Sequence, residues 1–296
     1  MIHADISQLH LDAEIQGKLT KATEDLRNIS SLKEKYKFID ANGNIWRSTL
    51  SALTELTHCS PESCLCWYCE SDGATGFYFQ VDHFRPKKRV VNKGYKRDDY
   101  EPGYWWLAFN PKNYRISCAK CNTGAGKKDQ FPLDEHSPRA VFEGGENRET
   151  ILLLDPISDH DVKQLTFTQD GDVQPNYDCF PKDKKRADVS IAVYNLRDRS
   201  KREARRKLWS DCKENIEKAK LARNAIKETL LFPSPDQARY IQVYQDACEE
   251  IKKMTLINAK FSSTAKSCVK EYYKIERARA QTNNSIFDLE WLLDIL

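Results

Sequence analysis

The stretch "VDHFRPKKR" at residues 81–89 ends an alternating run with an acid and an imidazole side by side, then adds Arg85, Lys87, Lys88 and Arg89. Upstream, "GFYFQVDHF" (76–84) alternates and is rich in aromatic and β-branched residues, which predicts a strand closing at Asp82-His83. A strand end can simply be polar. The setting of this one is unusual, because it lies between two Cys-x-x-Cys knuckles, "CWYC" (Cys66, Cys69) and "CAKC" (Cys118, Cys121). Two intervening residues let both thiolates of a knuckle turn toward one ion, and a second knuckle completes a tetrahedron. A structural Zn²⁺ on Cys66, Cys69, Cys118 and Cys121 is therefore expected, against the alternative of buried free thiols. Cys59 and Cys64 offer competing registers.

Around this centre the texture is helical. Residues 5–38 carry apolar positions at threes, fours and sevens (Ile6, Leu9, Ala13, Leu19, Leu26, Ile29), and "IWRSTLSALTEL" (45–56) reads as another helix after the turn "DANGN" (40–44). "EGGENRETILLLDP" (143–156) predicts a Gly-Gly turn feeding a short apolar strand, and "QLTFTQDGDVQP" (164–175) a hairpin turning at Asp-Gly. From about 186 a long charged helix is expected, broken by "FPSPD" (232–236) with Ser234 as N-cap, followed by two more helices and "SIFDLEWLLDIL" (285–296), where Ser285 and Asp288 form a candidate capping box. The fold class is α+β and predominantly helical: a helical region over 1–60, a mixed region over 61–180, and a helical region over 181–296.

The chain has 296 residues and 40% hydrophobic content, ample for a core. No apolar run approaches the roughly 18–20 residues of a membrane helix, so no membrane role is expected. The beginning, "MIHADISQLHLDAE", lacks the basic and apolar regions of a signal peptide, which predicts a cytoplasmic protein. Ten cysteines, six of them between 59 and 121, then argue for metal rather than disulfides. The net charge is only +3, but cations cluster at Arg85, Lys87, Lys88, Arg89, Lys93, Lys96 and Arg97, and again over 182–207. Such patches suit a phosphate backbone, although a charged stretch is also an ordinary solvated face.

Asn113 precedes Cys118, and Asn122 follows Cys121 directly. Taken singly, an Asp-His pair is usually a surface turn, and an Asn after a cysteine usually caps a helix. Taken in order (C-x-x-C, D-H, N, C-x-x-C-N), the pattern resembles the zinc-bearing branch of the HNH endonucleases. That resemblance implies a central ββα-metal module in which His83 is the general base, Asp82 and Asn122 hold a catalytic Mg²⁺ or Mn²⁺, and Asn113 orients the His-bearing loop. The chemistry suits those types. An imidazole near neutral pKa can take a proton from water, and a carboxylate with an amide oxygen suits a hard cation that keeps waters and a phosphate oxygen. Arg85, Lys87, Lys88, Arg89, Lys127 and Lys128 are the candidate phosphate contacts. Trp105-Trp106 could stack on bases or pack in the core.

"CWYCE", "VDHFRPK", "WWLAFNPKNYRISCAKCNTGAGKKDQFPL" and "LLLDP", all within 64–156, are similar to the HNH subunit of bacterial anti-phage systems of the Septu type and of certain retrons. The resemblance implies a nuclease, with DNA favoured as substrate. Its implied partners are an ATPase of the ABC or SMC-like kind and a retron reverse transcriptase with its RNA–DNA product. The helical arms would be partner surfaces, and the tail, apolar at Ile286, Leu289, Leu293 and Leu296, either docks on a partner or packs on its own helices. Two alternatives stay open: the same chemistry aimed at RNA such as tRNA, and a zinc-stabilised binding adaptor without catalysis.

Overall fold

The structure is a computed structural model that describes residues 1–76, 78–91, 101–282 and 290–295. Phe77, the cations Lys93, Lys96 and Arg97, the Ser285/Asp288 capping box, and Ile286, Leu289 and Leu296 lie outside the described residues. The fold is α+β and mostly helical, with three two-stranded sheets among the described residues. Two compact units emerge: Met1–Leu165 with Gln174–Asp198, and Thr166–Val173 with Arg199–Leu296.

The first unit opens on α1 (Ala13–Asn28) and α2 (Leu32–Ala41). Asp12 caps α1 by accepting from Ile15 N–H at 2.7 Å, and Leu19, Ala22 and Leu26 bury one face. The single helix-like run read over 5–38 is thus divided at Ile29, whose extended ψ of 123° ends α1, and begins with only a short 3₁₀ turn at Ile6–Gln8. Likewise 45–56 is two short helices, α3 (Gly43–Arg47) and α4 (Leu50–Glu55), separated at a turn where Thr49 N–H bonds Trp46 C=O three residues back. Trp46, Leu53, Trp67, Phe109, Tyr114 and Ile116 join α1 and α2 in one buried core.

After a short helix α5 (Gly73–Gly76), β1 (Phe79–His83) ends on the Asp-His pair. It pairs antiparallel with the fully buried β4 (Tyr114–Cys118), so Phe79 faces Cys118 and His83 faces Tyr114. Between them, β2 (Arg89–Val90) and β3 (Glu101–Pro102) make a second small sheet. The short helix α6 (Ala119–Asn122) follows β4 directly. The strand expected over 151–154 is instead an extended segment with one bridge, Leu133 to Ile151. Its carbonyls at Ile151 and Leu153 are taken by the Arg186 guanidinium rather than by a neighbouring strand. A short helix α7 (Asp159–Val162) and the helix α8 (Pro181–Val193) complete this unit.

Over residues 165–175, β5 (Leu165–Phe167) and β6 (Val173–Pro175) frame the Asp-Gly turn, where Gly171 has a φ of +73° and donates to Thr168 C=O at 2.9 Å. The long helix is α9 (Arg199–Leu231), packed on α10 (Gln237–Thr255) and α11 (Ser262–Thr282) around Trp209, Ile216, Ile251 and Val269. α10 begins at Gln237 with Asp236 as its cap, two residues later than the cap expected at Ser234, whose hydroxyl instead accepts from Asp236 N–H.

Candidate active-site cleft and cysteine cluster

The first knuckle is a tight loop. Glu70 N–H bonds Cys66 C=O at 2.7 Å with Glu70 at a φ of +63°, Ser71 C=O returns to Cys66 N–H, and Trp67 N–H hooks onto Ile116 C=O of β4. The second knuckle spans the end of β4 and the start of α6. The four sulfurs of Cys66, Cys69, Cys118 and Cys121 lie within 4.8 Å of one another, all buried. This cluster could hold a metal such as zinc, the soft cation that suits four thiolates in a tetrahedron. Burial pushes the Cys66 and Cys121 thiols up, whereas Cys118 is drawn down by hydrogen bonds from Cys121 and Cys66. Cys59 and Cys64 are buried outside this set, with Cys64 bonded to Leu65 C=O and its thiol pushed up to about 12 by burial and the neighbouring Cys59.

Beyond Cys121 the chain doubles back: Lys127 N–H reaches Cys121 C=O at 2.7 Å, and Lys128 N–H reaches Asn122 C=O at 3.0 Å. Gly126 makes that reversal fit, since an added Cβ would stand 2.3 Å from the Cys121 carbonyl oxygen. The loop carries Lys127 into the interior beneath β1.

A cleft of about 650 Å³ is lined by Asp82, His83, Lys87, Lys128 and Asn122 together with Trp46. His83 is 4% exposed and stands edge-on between Trp46 and Tyr114, each 5.1 Å away. Its Nε2 lies 2.9 Å from Ala108 C=O, a group that can only accept, so the neutral ring carries its proton on Nε2 and its lone pair on Nδ1. The Lys87 ammonium meets that Nδ1 at 3.3 Å. Burial, with Lys87 and Lys127 close by, holds the imidazole well below its ordinary pKa, against the pull of the Ala108 carbonyl. Burial likewise lowers the Lys87 ammonium to about 8, opposed by Asp82.

Asp82 is 5% exposed, and its carboxylate is held from two sides. Tyr68 O–H donates to Oδ2 at 2.7 Å, and the Lys127 ammonium lies 3.2 Å from Oδ2 while also donating to His83 C=O at 2.8 Å. Tyr68 is raised well above its ordinary pKa by burial and by Asp82, and so remains a donor at neutral pH. Asn113 clamps the chain after the imidazole: its Oδ1 accepts Arg85 N–H at 2.8 Å, its Nδ2 donates to Arg85 C=O, and its own C=O accepts Phe84 N–H. Asn122 Nδ2 donates to Gln80 Oε1 at 3.0 Å.

The six candidate phosphate contacts separate. Lys87, Lys88 and Lys128 line the cleft, with Lys88 also paired to Asp40 at 2.8 Å. Arg89 is half-exposed and pairs with Asp129 at 2.7 Å. Arg85 turns inward to Glu149, its guanidinium beside the rings of Tyr104 and Phe131. Lys127 is entirely buried. Trp106 is in the core, and Trp105 packs against it with the Lys35 ammonium 3.8 Å from its ring. The contacts that Tyr68 and Trp46 make with Asp82 and His83 have no sequence signal, since nothing beside either residue in the chain points to them. Arg115 is similar: it is 1% exposed, directly opposite Asp82 in the register, and forms a two-pronged pair with Asp155 at 2.6 and 2.7 Å.

No protein-family model matches the chain. Among curated proteins, the Septu protein PtuB of Bacillus mycoides (strain KBAB4) is 38% identical over 146 residues, covering 49% of this chain and 47% of that protein. The match therefore spans about half the length of the relative. No helix of the described residues is long and apolar enough to cross a membrane.

Proposed function

We propose that the chain is a metal-dependent HNH-type endonuclease that hydrolyses phosphodiester bonds in nucleic acid, with DNA favoured, as the effector nuclease of an anti-phage defence complex. The observation that carries the reading is that an Nδ1-unprotonated His83, Asp82, Asn122 and Lys87 line one cleft, and that Asn122 directly follows Cys121 of the four-cysteine cluster. β1, β4 and α6 supply the two strands and the helix of a ββα-metal module, and Zn²⁺ on Cys66, Cys69, Cys118 and Cys121 would tie its ends together.

His83, its Nε2 committed to Ala108, offers the Nδ1 lone pair to a proton of the attacking water. The donor set fits a hard cation. A carboxylate has about four acceptor sites, so Tyr68 and Lys127 leave Asp82 room, and Asn122 keeps its Oδ1 once Nδ2 has bonded Gln80. Mg²⁺ or Mn²⁺ held there would stabilise charge developing on the leaving oxygen. Lys87 turns from Nδ1 to a phosphate oxygen as substrate enters, which frees the base. Asn113 holds the His83 loop in place.

The likeness to a Septu protein supports the defence role. The proposed partners, an ABC or SMC-like ATPase and a retron reverse transcriptase with its RNA–DNA product, come from the motif resemblance over 64–156, and a cytoplasmic setting is proposed with them. The test is incubation of the chain and its partner with plasmid, single-stranded DNA and total RNA in Mg²⁺ or Mn²⁺. Cutting that disappears in His83→Ala, with zinc still bound, supports the reading; equal activity in both proteins refutes it.

A further inference from the structure

Tyr68 belongs to the first cysteine knuckle, yet its hydroxyl serves the cleft. It lies between Cys66 and Cys69, its ring is fully buried and stacked on Tyr194 with centroids 4.1 Å apart, and its O–H meets Asp82 Oδ2 at 2.7 Å. The backbone that carries it has little freedom, since Cys66 and Trp67 are bonded to Ser71 and to β4. Asp82 therefore accepts two side-chain hydrogen bonds of different character. The Lys127 ammonium, 3.3 Å from Oδ1 and 3.2 Å from Oδ2, attracts the whole carboxylate without a fixed direction. The hydroxyl fixes one oxygen in a definite direction.

We propose that Tyr68 is a positioning residue that couples the cysteine cluster to the cleft, holding Asp82 Oδ2 so that the carboxylate presents its remaining lone pairs to a divalent cation. The inference rests on the reading of Asp82 as a cation ligand. Groups bonded to a metal-ligating carboxylate commonly change metal affinity or activity by about 10- to 100-fold when removed. The knuckle thus does more than close the fold: whatever fixes the four sulfurs of the cluster also fixes the donor that aims the acid. Without that donor, the Lys127 ammonium, nearly equidistant from both oxygens, fixes no direction for the carboxylate.

Tyr68→Phe deletes the hydroxyl and keeps the ring and its stacking on Tyr194. The full chain, its Asp82→Ala variant and Tyr68→Phe are compared for Mn²⁺ binding by electron paramagnetic resonance, for zinc content and for melting temperature. The expected result is that Asp82→Ala loses the Mn²⁺ site, while Tyr68→Phe keeps its zinc and melting temperature and binds Mn²⁺ about 10- to 100-fold more weakly. Mn²⁺ binding that is the same in the wild type and Asp82→Ala overturns the reading of Asp82, and the inference with it. Binding that is lost in Asp82→Ala but unchanged in Tyr68→Phe overturns the positioning role alone. Loss of zinc or of the folded state in Tyr68→Phe also overturns it, because the hydroxyl would then be serving the fold.

Discussion

At the scale of the residue, the proposed site would depend on a buried imidazole held well below its ordinary pKa. Two rings exclude water from His83, two ammonium groups stand near it, and one carbonyl selects its tautomer. His83→Ala should remove cleavage by at least about 100-fold, the usual scale of a lost general base, without loss of zinc. Lys87 adds a pH signature. Burial lowers its ammonium to about 8, with Asp82 and Asp129 favouring the charge and Lys88 and Lys127 opposing it. The charge is present below that pH and lost above it, so oligonucleotide affinity of the His83→Ala protein should fall as pH rises through about 8. Lys87→Arg should flatten that fall, because a guanidinium keeps its proton. Fluorescence anisotropy of a labelled oligonucleotide reads both curves, and a wild-type Lys87 curve no steeper than the arginine variant's would exclude Lys87 from the contact.

At the scale of the element, short pieces acquire shape by being pinned. β1 and β4 are five residues each and α6 is four, too short to persist alone. The knuckle loop, the Asn113 clamp and the return of Lys127 onto Cys121 hold them. Gly126 is the tightest point, and Gly126→Ala should lower the stability of the first unit by about 3 kcal/mol, read by thermal unfolding; an unchanged melting temperature would mean the loop yields freely. Arg115 and Asp155 brace the same strand, and removing one partner of such a buried pair costs about 3–5 kcal/mol.

At the scale of the whole molecule, two cores carry separate loads. One is built around Trp46, Trp67, Tyr114 and Ile116, the other around Trp209, Ile216, Ile251 and Val269. The energy of a structural metal is folding energy for the segment that binds it. Chelation, or Cys118→Ser, should therefore raise hydrogen exchange across 66–69 and 114–121 while α9, α10 and α11 keep their protection. Mass spectrometry of exchanged peptides reads this, and unchanged protection at both knuckles would remove the metal from the account.

Periodicity and motif order determined much of this by themselves: the long charged helix, the Asp-Gly hairpin, the strand ending at Asp82-His83, and the two knuckles, whose spacing alone brings paired thiols together. These are local signals, carried by residues within a few positions of one another. Only tertiary structure decided which cysteines share one cluster, since Cys59 and Cys64 have the same chemistry and differ in where the backbone leaves them. The same holds for the cations, because Lys127 and Lys128 are adjacent in sequence yet one is buried against Asp82 and the other is exposed at the cleft. It holds too for Tyr68, Trp46 and the divided N-terminal helix. Each outcome depends on contacts between distant segments, and a side chain's partner across such a distance leaves no trace in its own neighbourhood of sequence.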